Sequence, residues 1–282
     1  MRSVLITGVS SGIGHVATSH FLNKGWRVFG SVRKESDAIA FEGIDQFIPL
    51  IFDVTDRSAI ENAREKVLSV LGENSLDVLV NNAGIANYGP LVHIPAEKFR
   101  ENLEVNVTGA LEVTQVFFPL LNRSSDTIGS KGRIINIGSV SGRFVMPLLG
   151  PYCASKYALV ALSHALRREL LIHGIPVSLI EPASAESDIW NKARHAETYV
   201  EGTAFAHIDG MKSDLIDKQE KRALPTQKVV DVIWKAATSK TPRARYLVTP
   251  NNFVNRFVFS LPDKWVDNIF NRAFNRANAN DV

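Results

Sequence analysis

The chain has 282 residues, 45% of them hydrophobic and 22% charged, which is typical of a globular protein with a sizeable core. The formal net charge of +3 gives no reason to expect a nucleic acid as partner. A single cysteine excludes an intrachain disulfide, and no unbroken apolar run reaches the roughly 18 residues of a membrane-spanning helix, so we expect a cytoplasmic protein.

Short β-branched runs alternate with longer helix-like stretches along most of the chain. The predicted strands are 3–7, 26–32, 46–52, 77–81, 132–138, 176–181 and 244–249. The predicted helices are 13–24, 56–71, 96–121, 151–173 and 226–239. Several strands are apolar on both faces, as in parallel strands covered by helices. The alternation therefore predicts an α/β fold with a doubly wound, Rossmann-like parallel sheet in a single domain.

Two stretches depart from this alternation. Residues 183–225 are too long for a plain connection and are interpreted as a substrate loop within a catalytic domain spanning 1–250. Residues 251–282 form a predicted C-terminal helical extension. Its apolar residues follow the spacing of one helix face, with Lys264, Arg272 and Arg276 off that face. The apolar face consists of Val266, Ile269, Phe270, Ala273 and Phe274. Two interpretations remain open: the helix packs on the domain, or it caps the pocket or lies on a membrane surface.

The stretch TGVSSGIG at 7–14 follows the first predicted strand and begins the first helix. Glycines at this junction permit a tight turn and let a phosphate approach the free N–H groups of the helix. We expect a dinucleotide to contact Gly8, Ser10, Ser11, Gly12, Ile13 and Gly14. The alternative is a purely structural glycine turn.

The end of the second strand predicts which dinucleotide binds. NAD enzymes usually carry an acidic residue there for the ribose 2′-hydroxyl. Here the strand ends in GSVRK, with Ser31 and Arg33, and the first carboxylate is Glu35. A guanidinium fork suits a 2′-phosphate, which favours NADP(H) over NAD(H). The alternative is that Arg33 is a solvated turn residue.

Tyr152 and Lys156 stand four residues apart in a predicted helix, so they share one face. The ammonium beside the phenol and the positive nicotinamide ring of a bound cofactor are both expected to lower the tyrosine pKa towards neutrality, as acid–base catalysis requires. Ser139, 13 residues earlier at a strand end, can bond the reacting oxygen. The histidines show no metal-ligand spacing, so we expect no metal site.

Further motifs occur in the same order as in a known family: NNAG at 81–84, NVTG at 106–109, GSVSG at 138–142 and YCASK at 152–156. With the glycine loop, they resemble the short-chain dehydrogenase/reductase family, and the long C-terminal extension is similar to its steroid- and retinol-dehydrogenase-like branch. The resemblance implies catalysis by Ser139, Tyr152 and Lys156, with Asn106 in a proton relay. It also implies a homodimer or homotetramer built from helices 96–121 and 151–173.

The resemblance assigns further cofactor contacts, namely Asp53, Val54, Asn82, Ala83, Gly84, Lys156, Pro182, Ala185 and Ser187. One departure is Ala183, which stands where the family has a glycine. Such a substitution is strained if that position needs a positive φ.

The substrate wall is predicted from apolar residues near the catalytic motif and in the loop, although these could equally belong to the core. They are Val145, Met146, Leu149, Ile189 and Trp190. We therefore expect an NADP(H)-dependent alcohol–carbonyl oxidoreductase acting on a lipophilic molecule such as a steroid or retinoid. The alternatives are a non-catalytic dinucleotide sensor and a scaffold protein that uses the C-terminal helix.

Overall fold

The fold is built on a parallel sheet whose seven strands all correspond to predicted ones. The computed structural model describes residues 1–123, 131–186, 197–206, 217, 220–221, 223–250, 259 and 261–280. The strands are β1 Ser3–Ile6, β2 Arg27–Val32, β3 Phe47–Ile51, β4 Val78–Asn81, β5 Arg133–Ile137, β6 Val177–Pro182 and β7 Arg245–Val248. Their order is β3-β2-β1-β4-β5-β6-β7, and every pairing is parallel. The predicted fold class is confirmed, and each strand end lies within one residue of its predicted position.

Helices cover both faces of this sheet. They are α1 Gly12–Asn23, α2 Arg57–Leu71, α3 Ala96–Leu103, α4 Gly109–Leu121, α5 Gly150–Glu169, α6 Thr226–Thr238 and α7 Asp263–Asn280. On one face α1 and α6 bury Phe21 and Ile233 against the strands. On the other face α2 and α4 bury Ile60 and Phe117. Burial on both sides explains why the central strands are apolar throughout.

The helix predicted over 96–121 is interrupted. A π-helical turn at Glu104–Thr108 separates α3 from α4. The amide of Asn106 accepts a hydrogen bond from the backbone N–H of Ile85 (2.8 Å) and donates to its carbonyl oxygen (2.9 Å). These bonds lie between Asn106 and the segment after β4, so the insertion in the helix directs a polar side chain towards the carboxyl end of the sheet.

Helix α7 packs on the domain through a narrower stripe than predicted. Val266, Phe270 and Phe274 are partly buried, and the Phe270 ring lies 6.1 Å from that of Phe144. Ile269, expected on the same face, is 57% exposed, so that assignment is wrong. A spacing of four residues selects 266, 270 and 274, and position 269 falls to one side. The side chains of Ala273 and Arg276 lie outside the described part of the chain.

Within the described ranges, no helix is long and apolar enough to cross a membrane. No group of metal-ligating side chains is found in the same residues.

Candidate active site

The site lies at the point where the chain order of the sheet reverses. Strands β1 and β4 are neighbours here, and open α/β sheets bind ligands beyond the carboxyl ends of such strands. Thr7 follows β1, and its hydroxyl oxygen accepts hydrogen bonds from the backbone N–H groups of Asn82 and Ala83, each 2.9 Å long. The Asn82 amide donates to the carbonyl oxygens of Thr7 (2.8 Å) and Gly8 (3.1 Å). The two strand ends are thereby held together at the base of the crevice.

The glycine loop crosses this crevice close to Asn82. Gly8 has φ +71°, which favours glycine. A Cβ at Gly14 would lie 2.3 Å from the Gly8 carbonyl oxygen and 2.5 Å from Asn82 Nδ2, so no other residue fits. Ser11 caps α1 with extended backbone, its side chain makes no capping bond, and the first turn holds no acidic residue. The N–H groups and partial positive charge at this helix end fit a dinucleotide diphosphate.

The remaining predicted cofactor residues line the same edge. Ser31 is buried, and its hydroxyl and carbonyl oxygens accept from Gly8 N–H at 3.1 Å each, so it supports the loop. Arg33 is exposed immediately after β2. Asp53 accepts from the backbone N–H (3.0 Å) and hydroxyl (2.8 Å) of Thr55. Val54 is buried against Gly109, since a Cβ added to Gly109 would lie 2.8 Å from the Val54 side chain. Ser10 is exposed and Ile13 half-buried in the glycine loop.

The predicted catalytic side chains come together at the next strand. Ser139 follows β5, and its side chain is hydrogen-bonded to the phenol of Tyr152 on α5. Lys156 lies one turn further along α5, and its Nζ donates to the Ile137 carbonyl oxygen at 2.9 Å. The same Nζ lies 5.5 Å from the centre of the Tyr152 ring. The lysine is buried between the end of β5 and the tyrosine.

Burial shifts the pKa values of both Tyr152 and Lys156. Burial raises the pKa of Tyr152 to about 12, although the hydrogen bond with Ser139 opposes the increase. Burial also lowers the pKa of Lys156 to about 8. In the protein without cofactor, loss of solvation dominates for both groups. The expected lowering of the tyrosine pKa, which also involves the positive nicotinamide ring, stays a prediction for the complex with the cofactor. At neutral pH the tyrosine is a phenol, which is a proton donor.

Asn106 connects the catalytic helix to the segment after β4. Its Nδ2 donates to the hydroxyl oxygen of Ser155 at 2.8 Å, and that hydroxyl donates to the Tyr152 carbonyl oxygen at 2.7 Å. Gly84 lies beside it, where a Cβ would be 3.1 Å from Asn106 Oδ1 and 3.8 Å from Lys156 Nζ. A larger residue at Gly84 would fill the space beside the amide and the ammonium.

The substrate side is formed by loops. The N–H of Gly89 donates to the carbonyl oxygen of Leu148 at 2.9 Å, joining the segment after β4 to the segment before α5. Leu148 has φ +66°, a costly conformation for a branched residue. Met146 and Leu149 are partly buried, whereas Val145 is 53% exposed and forms no protected wall.

Tyr88 is a site residue that the sequence analysis missed. Burial raises the pKa of its phenol, and the proximity of Tyr152 adds to this increase. The interaction places a second phenol near the catalytic one. The only signal in the sequence was its position four residues after Gly84, in a loop without regular periodicity.

The segment after β6 is held in place by backbone hydrogen bonds. Ala183 N–H donates to the Val248 carbonyl oxygen at 2.9 Å. Among the described residues other than glycine, only Leu148 and Tyr199 have positive φ, so alanine at 183 is unstrained. Pro182 is buried in β6, and Ala185 forms a bridge with Leu224. Ser187, Ile189 and Trp190 lie outside the described residues.

Comparison with known proteins finds one matching family model and several similar sequences. A family model described as short chain dehydrogenase matches residues 2–198. An NADPH-dependent 3-dehydrocapnine reductase of Ornithobacterium rhinotracheale is 42% identical over 273 residues, covering 96% of each chain. The mitochondrial D-beta-hydroxybutyrate dehydrogenase of Rattus norvegicus is 31% identical over 266 residues, covering 87% of this chain and 76% of the other.

A solved structure agrees with the fold. The short chain dehydrogenase of Burkholderia cenocepacia in complex with NADP superposes with a TM-score of 0.70 at 26% identity, covering 88% of this chain and 96% of that chain. The parallel sheet, the glycine loop and the Ser139, Tyr152 and Lys156 group are thus accompanied by sequence similarity along most of the chain. This chain belongs to the short-chain dehydrogenase/reductase family.

Proposed function

We propose that the protein is an NADP(H)-dependent oxidoreductase that reduces a ketone on a lipophilic substrate to an alcohol. The observation that carries the proposal is the Ser139–Tyr152–Lys156 group beside the glycine-loop crevice. NADPH, when bound, supplies a hydride to the carbonyl carbon. The protein supplies the proton, the position of the oxygen and the exclusion of water.

The proton comes from Tyr152. Since burial holds the pKa of this phenol near 12, the group is protonated at neutral pH and can donate to the oxygen as the carbonyl is reduced. Ser139 donates a second hydrogen bond that orients the same oxygen. Hydride and proton together convert the carbonyl into an alcohol and leave a tyrosinate.

Lys156 and Asn106 restore the phenol. The ammonium stabilises the tyrosinate because opposite charges attract strongly in a buried site. Asn106 Oδ1 and Lys156 Nζ both lie close to Gly84, and we assign Asn106 to the route by which a proton returns from solvent. The engaged amide of Asn106 supports a fixed position for this route.

Arg33 supports the choice of NADP(H). It is exposed at the end of β2, where a ribose 2′-phosphate would lie, and no carboxylate precedes it there. The NADPH-dependent relative and the NADP-bound structural neighbour agree with this choice.

We predict that Arg33→Asp reverses the cofactor preference. A hydrogen bond to a charged group contributes about 1.5–3 kcal/mol, so loss of Arg33 should lower kcat/KM for NADPH by about 10- to 100-fold. Parallel titrations with NADPH and NADH measure the ratio. Lys24→Asp makes the same charge change at an exposed position immediately after α1 and should leave the ratio unchanged. A wild-type preference for NADH would refute the assignment.

The substrate class follows from the loops and the relatives. Tyr88, Met146 and Leu149 give the substrate side an apolar character around one reacting oxygen. The 42% identical relative is a 3-dehydrocapnine reductase, and a 31% identical one is a D-beta-hydroxybutyrate dehydrogenase. We propose a 3-dehydrocapnine-like ketone as the substrate class, ahead of short hydroxy acids, steroids and retinoids.

We predict that 3-dehydrocapnine is reduced with NADPH and that Tyr152→Phe abolishes this reaction. The substitution removes one hydroxyl, and general acid catalysis typically contributes 10²–10⁴-fold. NADPH consumption is followed by absorbance with 3-dehydrocapnine, acetoacetate, a ketosteroid and retinal. Tyr157→Phe alters a more exposed tyrosine on the same helix and should retain full rate. If Tyr152→Phe retains more than about a tenth of the rate, the proton has another source and the sensor or scaffold interpretation gains support.

The loss of the Lys156 charge predicts how kcat/KM changes at alkaline pH. Its ammonium is protonated below a pKa of about 8 and loses its charge above it. The kcat/KM for NADPH, which reports groups of the free enzyme, should therefore fall by about tenfold for each pH unit above 8. Lys156→Gln should be slow at every pH and lack this decline. A decline that persists in Lys156→Gln would assign it to another group.

We also propose that α7 contacts a membrane surface. Its inner stripe packs against Phe144, while Trp265 and Ile269 are 63% and 57% exposed, four residues apart, beside exposed Lys264 and Arg272. Exposed aromatic and aliphatic side chains flanked by cations suit an anionic lipid interface. Such a contact would place the substrate side near a lipophilic substrate.

We predict that the double substitution of Trp265 and Ile269 by serine lowers co-sedimentation with phosphatidylglycerol-containing vesicles at least severalfold, because it removes buried apolar area. Reduction of a soluble substrate should be unchanged. Ile39→Ser, at a position 64% exposed elsewhere, should leave vesicle binding intact. Equal binding by all three proteins would show that α7 does not contact lipid.

We also propose a homodimer or homotetramer built from the helices predicted over 96–121 and 151–173, which correspond to α3, α4 and α5. Leu171 and Ile172, which follow α5, are 68% and 86% exposed, and a second copy would cover them. Analytical ultracentrifugation of the wild-type protein distinguishes a dimer or tetramer from a monomer.

A further inference from the structure

A carboxylate without access to solvent lies between two arginines behind the catalytic serine. Glu181, in β6, is 0% exposed, and the Arg143 and Arg245 side chains are 27% and 29% exposed. Arg143 donates through Nε (2.8 Å) and Nη2 (2.7 Å) to the two carboxylate oxygens. Arg245 donates through Nε (2.9 Å) and also through Nη2. Each oxygen of Glu181 thus accepts from both arginines.

The carboxylate is ionised despite its burial. Burial raises the pKa of Glu181, but hydrogen bonds and charge from Arg143 and Arg245 outweigh it and keep the pKa below its ordinary value. Buried ion pairs generally add little net stability, because desolvation offsets attraction. Two parallel hydrogen bonds between one guanidinium and one carboxylate do, however, fix the orientation of both side chains. The arrangement is therefore better suited to fixing geometry than to increasing stability.

Through Arg143, the ion group is joined to the turn that carries Ser139. Ser139 begins a single helical turn, in which its Oγ accepts from Ser141 N–H (3.1 Å) and its carbonyl oxygen from Gly142 N–H (3.0 Å). Arg143 follows directly after the turn. These bonds are local, so they maintain the shape of the turn without fixing its direction relative to the sheet.

Two attachments join the turn to β6, one on each side of the serine, in addition to the hydrogen bond between Ser141 and Cys153 of α5. Before it, Gly138 N–H donates to the Ile180 carbonyl oxygen at 2.7 Å. After it, the guanidinium of Arg143 binds Glu181, the next residue of β6. Arg245 holds the other side of the carboxylate from β7 and has no direct link to the turn. The Ser139 turn is thus attached at both ends to consecutive residues of one strand.

We propose that Glu181, acting through Arg143, is a positioning residue that fixes the hydroxyl of Ser139 relative to Tyr152. The inference rests on the proposed function, since Ser139 orients the reacting oxygen there. Removal of Arg143 would leave the turn attached to β6 only through Gly138, so that its direction would depend on that bond and on its contacts with α5. A displacement of about 1 Å in a positioning group can cost about 100-fold in rate.

Arg143→Met and Arg245→Met are matched test variants. Each removes one bidentate pair from Glu181 and keeps the apolar stem of the side chain, but only Arg143 is joined to the Ser139 turn. We expect Arg143→Met to lower kcat by about 10- to 100-fold with little change in NADPH affinity. Arg245→Met should stay within about threefold of wild type, although both variants lose similar stability in urea titrations.

A double-substitution cycle separates positioning from general destabilisation. In a Ser139→Ala background, Arg143→Met should cause no further loss of kcat, because the group that it positions is already absent. Arg143→Lys should recover part of the rate. Additive losses, or equal losses for Arg143→Met and Arg245→Met, would overturn the proposal.

Hydrogen exchange provides a readout that is independent of turnover. The peptide covering residues 138–146 should exchange faster in Arg143→Met than in Arg245→Met or wild type. If Arg143→Met does not fold, Glu181→Gln takes its place in each comparison, since it weakens the hydrogen bonds between Arg143 and residue 181. Failure of the wild type to reduce any ketone would refute the proposed function, while equal exchange in the two arginine variants would refute only the positioning role.

Discussion

The hydrogen bonds between the ends of β1 and β4 are the constraint on which the site depends. Thr7 and Asn82 hold the two strands together where the chain order reverses, and the Asn82 amide also holds the Gly8 carbonyl. The glycine loop can then pass close to Asn82 only because Gly14 has no side chain. The start of α1 is therefore directed at the crevice by backbone contacts, so the cofactor side needs few charged residues close to the diphosphate position.

The catalytic side is governed by burial instead. Lys156 is buried and Tyr152 is partly buried, and loss of solvation shifts both towards their neutral forms, to pKa values of about 8 and about 12. A neutral phenol is suited to protonating an oxygen, and a lysine that is easily deprotonated is suited to passing a proton on. Under the proposed function, the reverse reaction needs a tyrosinate and would therefore be favoured by higher pH.

The sequence predicted what depends on local pattern, and it missed what depends on distant contacts. Strands were correct to within one residue because apolar runs covered on both faces leave little ambiguity. The break at Glu104–Thr108 was missed because it depends on Asn106 bonding to Ile85, 21 residues away. Ile269 was placed on the packed face because helical spacing alone does not show how wide the covering surface is. The effect of burial on the tyrosine pKa was missed because two residues four apart on a helix show charge proximity and not depth of burial.

The cofactor half and the substrate half of the site therefore differ in which residues can be substituted without disturbing the sheet. The cofactor half is built from bonds between strand ends, and a change at Thr7, Gly14 or Asn82 would disturb the sheet itself. The substrate half is built from loops joined at single points, such as the bond from Gly89 to Leu148, and from the contact of α7 with Phe144. Changes in those loops would alter the shape of this side of the crevice while Ser139, Tyr152 and Lys156 remain attached to β5 and α5. Relatives with different substrates can accordingly share one reaction chemistry, and we propose that Tyr88, the segment before α5 and α7 select the substrate of this chain.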